Sequence, residues 1–539
     1  MSASASSLLP SRFYALAGAA IVALAAAAVA GTNPYWWIVA AVAAALTLAG
    51  VYDLLQTRHS ILRNYPILAH FRFFFETIRP EIRQYLIESD TEAAPFSRAQ
   101  RSLVYQRAKN VEDKRPFGTE LDLYVSGYEW INHSMRPHKI GDTGFRVRIG
   151  GAQCAQPYES SLLNISAMSF GALSANAIRA LNRGAKLGGF AHDTGEGSIS
   201  HYHAEYGGDL IWELGSGYFG CRSEDGHFDA GKFAAQARSP QVRMVEVKLS
   251  QGAKPGHGGV LPGAKVTPEI ARTRGVAVGR DCVSPALHSA FATPLELLEF
   301  VARLRELSGG KPAGFKFSLG HPWEFFGICK AMLESGLKPD FIVVDGGEGG
   351  TGAAPLEFAD HVGTPLQEAL LLVHNTLVGL NLREGIRLGA SGKIITAFDM
   401  ARTLALGADW CNAARGFMFA LGCVQSLSCH TDRCPTGIAT QDRLRQRALV
   451  VPDKAERVYH FHRNTLAALG DLVGSAGLAH PADLRPHHIV RRVSENEIRL
   501  LANFYKFLRP GELLENPAAH SVYQMYWPMA SSRSFEPAR

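Results

Sequence analysis

From Leu162 onward the chain alternates short runs rich in branched and aromatic residues with amphipathic stretches, and few folds are compatible with that alternation. The runs at 163–169, 189–194, 244–249, 281–284, 314–318, 341–345, 387–390 and 410–414 predict strands. The stretches 175–187, 294–307, 323–335, 365–382 and 396–406 predict helices between them. Eight strands with helical crossovers require a parallel sheet, and that count predicts an α/β fold, a (β/α)8 TIM barrel. A doubly wound sheet is the rival, but no Gly-x-Gly-x-x-Gly follows the first strand. The long stretch 198–243, with Tyr218-Phe-Gly-Cys-Arg222, reads as an insertion in the second crossover.

In such a barrel, chemistry collects at the C-terminal ends of the strands. Polar and glycine-rich residues gather there in this sequence. The first strand ends in Ala167-Met168-Ser169, and the second in Thr194-Gly-Glu196-Gly197. The third carries Lys248 and then Gln251-Gly-Ala-Lys254, and the fifth carries Lys316. The sixth ends in Asp345, Gly346, Gly347, Glu348, Gly349 and Gly350. The last two end in Ser391-Gly392-Lys393 and Ala414-Arg415-Gly416, where barrels commonly bind phosphate through loop amides and a helix N-terminus.

Directly after the eighth strand, Cys423, Cys429 and Cys434 bring three of the eight cysteines into one short segment. Three thiolates with no fourth nearby suit a [3Fe-4S] cluster. Buried core cysteines are one alternative. Zinc with His430 as fourth ligand is another, although the segment contains no Cys-x-x-Cys knuckle. A phosphate site beside an iron–sulfur segment suggests flavin mononucleotide (FMN). Lys248 and Lys316 are placed to stabilise the N1–C2 carbonyl region of a reduced flavin; each is equally suited to a salt bridge with Asp345 or Glu196.

The first fifty residues differ from all that follow. Two uncharged runs, 14–31 and 35–51, are separated by Gly31-Thr-Asn-Pro34. Each approaches the ~20 residues needed to cross a bilayer. They predict a helical hairpin with Tyr35, Trp36 and Trp37 at an interface. Arg12 before it, and Arg58, Arg63 and Arg72 after it, place both ends and the catalytic domain in the cytoplasm, on a multi-pass inner-membrane protein. The net charge of +6 is diffuse and no arginine-rich run occurs, which excludes a nucleic-acid partner. The expected domains are a tail at 1–12, the hairpin at 13–52, a connector at 53–150, the barrel with its cysteine segment at 151–442, and a helical extension and tail at 443–539.

Six motifs carry a resemblance that covers about 162–442 in the same order. They are Met168-Ser-Phe-Gly171, Thr194-Gly-Glu-Gly197, Gln251-Gly-Ala-Lys-Pro-Gly256, Leu261-Pro-Gly263, Gly349-Gly-Thr-Gly-Ala353 and the cysteine segment through Gln441. Together they resemble the FMN-binding synthase domain of the glutamate synthase large subunit. The resemblance implies a (β/α)8 barrel with FMN and a [3Fe-4S] cluster. It implies an oxidoreductase acting on CH–NH2 donors, which reduces 2-iminoglutarate, formed from 2-oxoglutarate and ammonia, to L-glutamate. It implies that Cys423, Cys429 and Cys434 ligate the cluster. FMN would be held by Ala167, Met168, Ser169, Lys248, Lys316, the turn from Asp345 to Gly350, Gly392 and the loop Ala414, Arg415, Gly416. Gln251, Lys254 and Arg274 would bind the 2-oxo acid, with Glu196 and Lys254 catalytic. A dicarboxylate needs cations, and an arginine can grip a carboxylate through two nitrogens.

The chain also departs from that family. No glutaminase domain with an N-terminal cysteine precedes the barrel and no long β-helical domain follows it, so the chain resembles the short stand-alone members. Ammonia and electrons are then expected from outside, the electrons from a reductase subunit or a ferredoxin-like protein. Where the family has Glu and Gln around a Gly-Gly pair, this chain has His257 and Val260. That difference motivates an alternative: a membrane-tethered FMN and iron–sulfur oxidoreductase acting on another substrate.

Overall fold

The structure is a computed structural model that describes residues 10–92 and 94–538. Two compact units divide the chain, 1–98 and 99–539. Most of the expected tail at 1–12 lies outside the described residues, and the boundary between units falls inside the stretch expected as a connector.

The first unit holds helices α1 (Tyr14–Val29) and α2 (Tyr35–Leu55), which pack on each other. Both are long and apolar enough to cross a membrane by length and composition. Only 6% of one apolar window and 22% of the other is buried, unlike a helix in a soluble core. Asp53, in the last turn of α2, is buried and accepts bonds from the Ile67 amide at 3.0 Å and His70 Nε2 at 2.9 Å. These bonds tie α2 to the start of α3 (Ala69–Ile82).

The second unit is built on a closed, wholly parallel barrel of eight strands. In chain order they are β1 (Leu163–Ile165), β2 (His192–Asp193), β3 (Leu210–Leu214), β4 (Val242–Lys248), β5 (Ala313–Phe317), β6 (Phe341–Asp345), β7 (Arg387–Ser391) and β8 (Trp410–Ala413). Each pairs with its neighbour in sequence, and β8 closes on β1. The barrel expectation holds, with one strand exchanged. The third strand is Leu210–Leu214, inside the stretch read as an insertion. The predicted strand at 281–284 is not in the barrel: Cys282–Val283 pairs antiparallel with Val260–Leu261 in a separate two-residue ribbon. Lys248 therefore ends the fourth strand rather than the third.

Local chemistry sets the helix starts. Ser174 accepts the Ala177 amide at the head of Ala175–Gly188. Thr293 and Thr396 form capping boxes with Glu296 and Asp399. Strand alternation sets the layers: Phe315 and Phe317 flank Lys316 on β5, and Phe317 stacks on Phe325 of the helix Pro322–Ser335 at 5.4 Å. The extension after the cysteines supplies a long helix, Val451–Ser475, that packs on Ala175–Gly188. Its continuation, Ile489–Ser494, pairs with Glu129–Ile131, so the extension and part of the expected connector share one sheet.

Candidate active site

The loops after β1, β2, β4, β6, β7 and β8 converge, and the passage after β4 laces them together. Glu196, after β2, lies 3.2 Å from the Lys248 ammonium. Lys248 also donates to Gln251 Oε1 at 2.7 Å, and Gln251 Nε2 donates to Thr351 Oγ1 at 3.3 Å. Lys254, buried, donates to the Ala353 carbonyl at 2.8 Å. The motifs after β2, β4 and β6 thus form one connected polar cluster.

Burial pushes the Glu196 carboxyl up, but Lys248, Arg274 and Lys254 outweigh it and hold the group below the usual carboxylate range. Burial, then repulsion from Lys248, lowers the Lys254 ammonium. The two residues expected to be catalytic therefore stand as an ionised acid and a destabilised cation.

Arg274 ends the helix Pro268–Arg274 and is 4% exposed. Its Nη2 donates to the Phe170 carbonyl at 2.9 Å and Ser169 Oγ at 3.2 Å, and Nη1 meets Cys282 Sγ at 3.7 Å. Its guanidinium lies over the Phe219 ring at 5.3 Å. Both terminal nitrogens join protein loops, so the structure places Arg274 as a brace between the β1 loop and the ribbon. Its Nε is buried without a hydrogen-bond partner.

Lys316 points into the barrel, where it pairs with Glu213 of β3 and lies 3.6 Å from Glu246 of β4. With Asp193 of β2, these carboxylates bring their oxygens close together. Burial lowers the lysine, but Glu213, Glu246 and Asp193 together raise it well above its ordinary value. Burial, then Glu213, pushes Asp193 up to about 7, and burial raises Glu246 well above the carboxylate range. Sequence reasoning gave these three acids no part in a site. The signal available was a carboxylate inside each of two apolar strands.

Around the other half of the rim the fit to a phosphate-bearing cofactor can be tested. Asp345 accepts the Gly252 amide at 2.8 Å and the Ser391 hydroxyl at 2.5 Å, joining the β4, β6 and β7 loops. A Cβ on Gly252 would lie 1.7 Å from the Gly346 carbonyl oxygen, so only glycine permits this approach. A Cβ on Gly195 would meet the Ser169 amide nitrogen at 2.7 Å and the Met168 carbonyl carbon at 2.9 Å, which fixes the β2 loop against the β1 loop. Arg415 donates to the Glu348 carbonyl at 2.6 Å and packs on Gly350. Burial lowers Arg415 to about 10, and burial followed by Arg415 lowers Lys393, next to Gly392. Two neighbouring, partly desolvated cations at glycine-rich turns suit an anion such as a phosphate.

The cysteine segment follows the helix Arg415–Leu421. Burial raises Cys423 to about 12, with Cys429 and Cys434 adding to it. Burial and Cys434 raise Cys429, against Lys265. Cys434 is held low despite burial, by the Thr436 hydroxyl and by backbone amides. Two thiols raised by burial and a third held low ionise together only where a positively charged group binds all three. Among the described residues, these cysteines and His430 do not converge on one point as a single zinc ion requires. Lys265, buried in the β4 passage, donates to the Cys429 and Ala439 carbonyls at 3.1 Å and to the Ala172 carbonyl at 3.3 Å. One ammonium therefore fastens the β1 loop to the cysteine segment.

These features define a (β/α)8-barrel protein whose rim carries an acid–lysine cluster, an anion cradle and a three-cysteine segment. A family described as the conserved region in glutamate synthase matches residues 148–479, and the chain belongs to that family. It is 38% identical over 489 residues to the glutamate synthase large subunit-like protein YerD of Bacillus subtilis, covering 83% of this chain and 93% of that one. It is 34% identical over 340 residues to the archaeal-type glutamate synthase [NADPH] of Thermotoga neapolitana, covering 62% and 64%. Against the glutamate synthase [NADPH] large chain of Azospirillum brasilense it is 31% identical over 340 residues, 21% of that chain.

Proposed function

We propose that this protein is an FMN- and iron–sulfur-dependent oxidoreductase that converts 2-oxoglutarate and ammonia, through 2-iminoglutarate, to L-glutamate. The observation that carries this reading is the cluster of Lys248, Glu196, Gln251 and Lys254 at the strand ends, with Lys265 linking the same passage to Cys429. A reduced flavin would supply hydride at the rim, and the cluster would supply single electrons. Lys248, Lys316, the Asp345–Gly350 turn, Gly392, Arg415 and the residues Ala167 to Ser169 would hold the flavin. Cys423, Cys429 and Cys434 would hold the cluster.

The residues then divide the work. Lys254, its charge poorly solvated, meets a substrate carboxylate. Gln251, already oriented by Lys248 and Thr351, hydrogen-bonds the oxo acid. Ionised Glu196 holds the incoming ammonium by charge and hydrogen bond. Arg274 keeps the β1 loop and the ribbon closed over the pocket. Ammonia comes from outside the chain, and electrons from a reductase subunit or ferredoxin-like protein.

The unsupported apolar surface of α1 and α2, with Arg12 before them and Arg58, Arg63 and Arg72 after, favours a hairpin that crosses the inner membrane and leaves the barrel in the cytoplasm.

The test is anaerobic purification, flavin extraction and electron paramagnetic resonance, followed by glutamate formation from 2-oxoglutarate and ammonium with a low-potential donor. Protein that carries flavin and cluster but forms no glutamate refutes the reading. A second reading, another oxo acid, is favoured by the ribbon: Val260, 38% exposed, stands opposite Val283, 60% exposed, where the family resemblance expects a glutamine. A panel of 2-oxo acids with ammonium separates the two, because an apolar oxo acid turned over faster than 2-oxoglutarate selects the second.

A further inference from the structure

The helix Ala69–Ile82 and the wider turn that continues it, Arg83–Ile87, carry a large uncovered apolar face. Leu68, Phe71, Phe74 and Phe75 are 48%, 61%, 56% and 56% exposed, and Tyr85 and Leu86 are 59% and 79% exposed. At 100° per residue these six side chains fall on one side of the helix. Arg72, Arg79 and Arg83 fall together along one edge of that face, spaced by seven and four residues. Four aromatic rings are too much apolar surface to leave in water without a partner.

The position of this helix identifies the partner. It starts fourteen residues after α2 ends. Its first turn is pinned to the last turn of α2 by Asp53, through Ile67 and His70. If α2 crosses a bilayer, Asp53 sits where the apolar window ends, and α3 begins at the same depth. We propose that the face formed by Phe71, Phe74, Phe75 and Leu86 lies in the cytoplasmic headgroup layer of the bilayer that the hairpin crosses. Arg72, Arg79 and Arg83 face its anionic phosphates. The inference rests on the hairpin reading and goes beyond it: the protein has an in-plane foot as well as a tether. Aromatic rings in the interface with arginines toward lipid phosphates are the composition such helices use.

The experiment uses the full chain in vesicles of phosphatidylcholine with phosphatidylglycerol. The photoreactive residue p-benzoylphenylalanine replaces Phe74 in one variant and Leu46, within α2, in another. Lipid adducts at both positions support the proposal. Adducts at 74 should also favour phosphatidylglycerol, by up to roughly fivefold per arginine, and Arg72→Gln, Arg79→Gln, Arg83→Gln should bring that preference to parity. Lipid adducts at 46 with none at 74, or with protein adducts at 74, overturn the foot and leave the hairpin standing. No lipid adducts at 46 remove the hairpin reading itself.

Discussion

The Lys248 ammonium lies 3.2 Å from the Glu196 carboxylate, and both side chains are largely buried, at 11% and 17% exposure. The pair joins the end of β4 to the β2 loop, and it sets the protonation state of the carboxylate beside Gln251 and Lys254.

Replacing Glu196 with Gln keeps its shape and removes its charge. Loss of a positioned catalytic carboxylate lowers kcat by about 10²- to 10⁴-fold, with flavin content near the wild type and a lower melting temperature, because Lys248 is left buried without its counter-ion. Steady-state glutamate formation and a thermal melt check both halves of the statement.

Lys248→Met removes the strongest force holding Glu196 low, and burial then raises its pKa. A depressed carboxylate contributes stability above its unfolded pKa and loses it as pH falls through the folded value. The variant should therefore lose stability at neutral pH, and the acidic limb of its pH–rate profile should move upward. An unmoved limb assigns that limb to another group.

Inside the barrel, Lys316→Met leaves three buried carboxylates facing one another and should cost about 3–5 kcal/mol by denaturant unfolding. Glu246→Gln replaces a carboxyl that burial raises well above the carboxylate range and whose two oxygens both lack a hydrogen-bond donor; it should be neutral or stabilising. Asp193 adds a pH signature. Its folded pKa is raised to about 7, so the folded state holds more protons than the unfolded state between the ordinary carboxylate range and that value. Its contribution to stability falls as pH rises through this window. Asp193→Asn should flatten that part of the stability–pH curve.

A methyl group at position 252 cannot be placed without moving the Gly346 carbonyl. Gly252→Ala should separate the β4 and β6 loops at a cost of about 1–3 kcal/mol. The ratio of extracted flavin to protein should fall more than the melting temperature does.

Lys265→Met leaves three carbonyl oxygens without their shared donor. The expected result is loss of iron and sulfide with flavin retained. Equal loss of both would show that the lysine holds the whole rim rather than the cysteine segment.

Seven of the eight barrel strands were legible as apolar runs ending in glycine or polar turns. Leu210–Leu214 was not: it is a short run that carries Glu213 and lies within the stretch read as an insertion. A carboxylate inside a five-residue run breaks the apolar pattern, and only the cross-barrel partner Lys316, 103 residues away, makes it tolerable. The stretch 281–284 looked equally strand-like because its two central residues are extended, but they pair antiparallel on a ribbon. The motif residues could be assigned to the rim because glycine turns mark strand ends. Side-chain direction could not be read. Lys248 and Lys316 occupy matched positions on adjacent strands, yet the first meets the rim acid and the second the buried acids. Nothing local in the sequence announces Ser169 and Phe170 as the partners of Arg274.

The passage from Gln251 to Thr293 is one continuous strap that carries Lys254, committed to the β6 loop, Lys265, committed to the β1 loop and the cysteine segment, and Arg274, committed to the β1 loop. Such a strap limits how the protein can diverge. Residues that brace it cannot change singly without loosening the cysteine segment or the β1 loop. His257, Val260 and Val283 are exposed and make no such brace. Under the proposed function, a directed library at these positions should change selectivity while leaving the rim assembled.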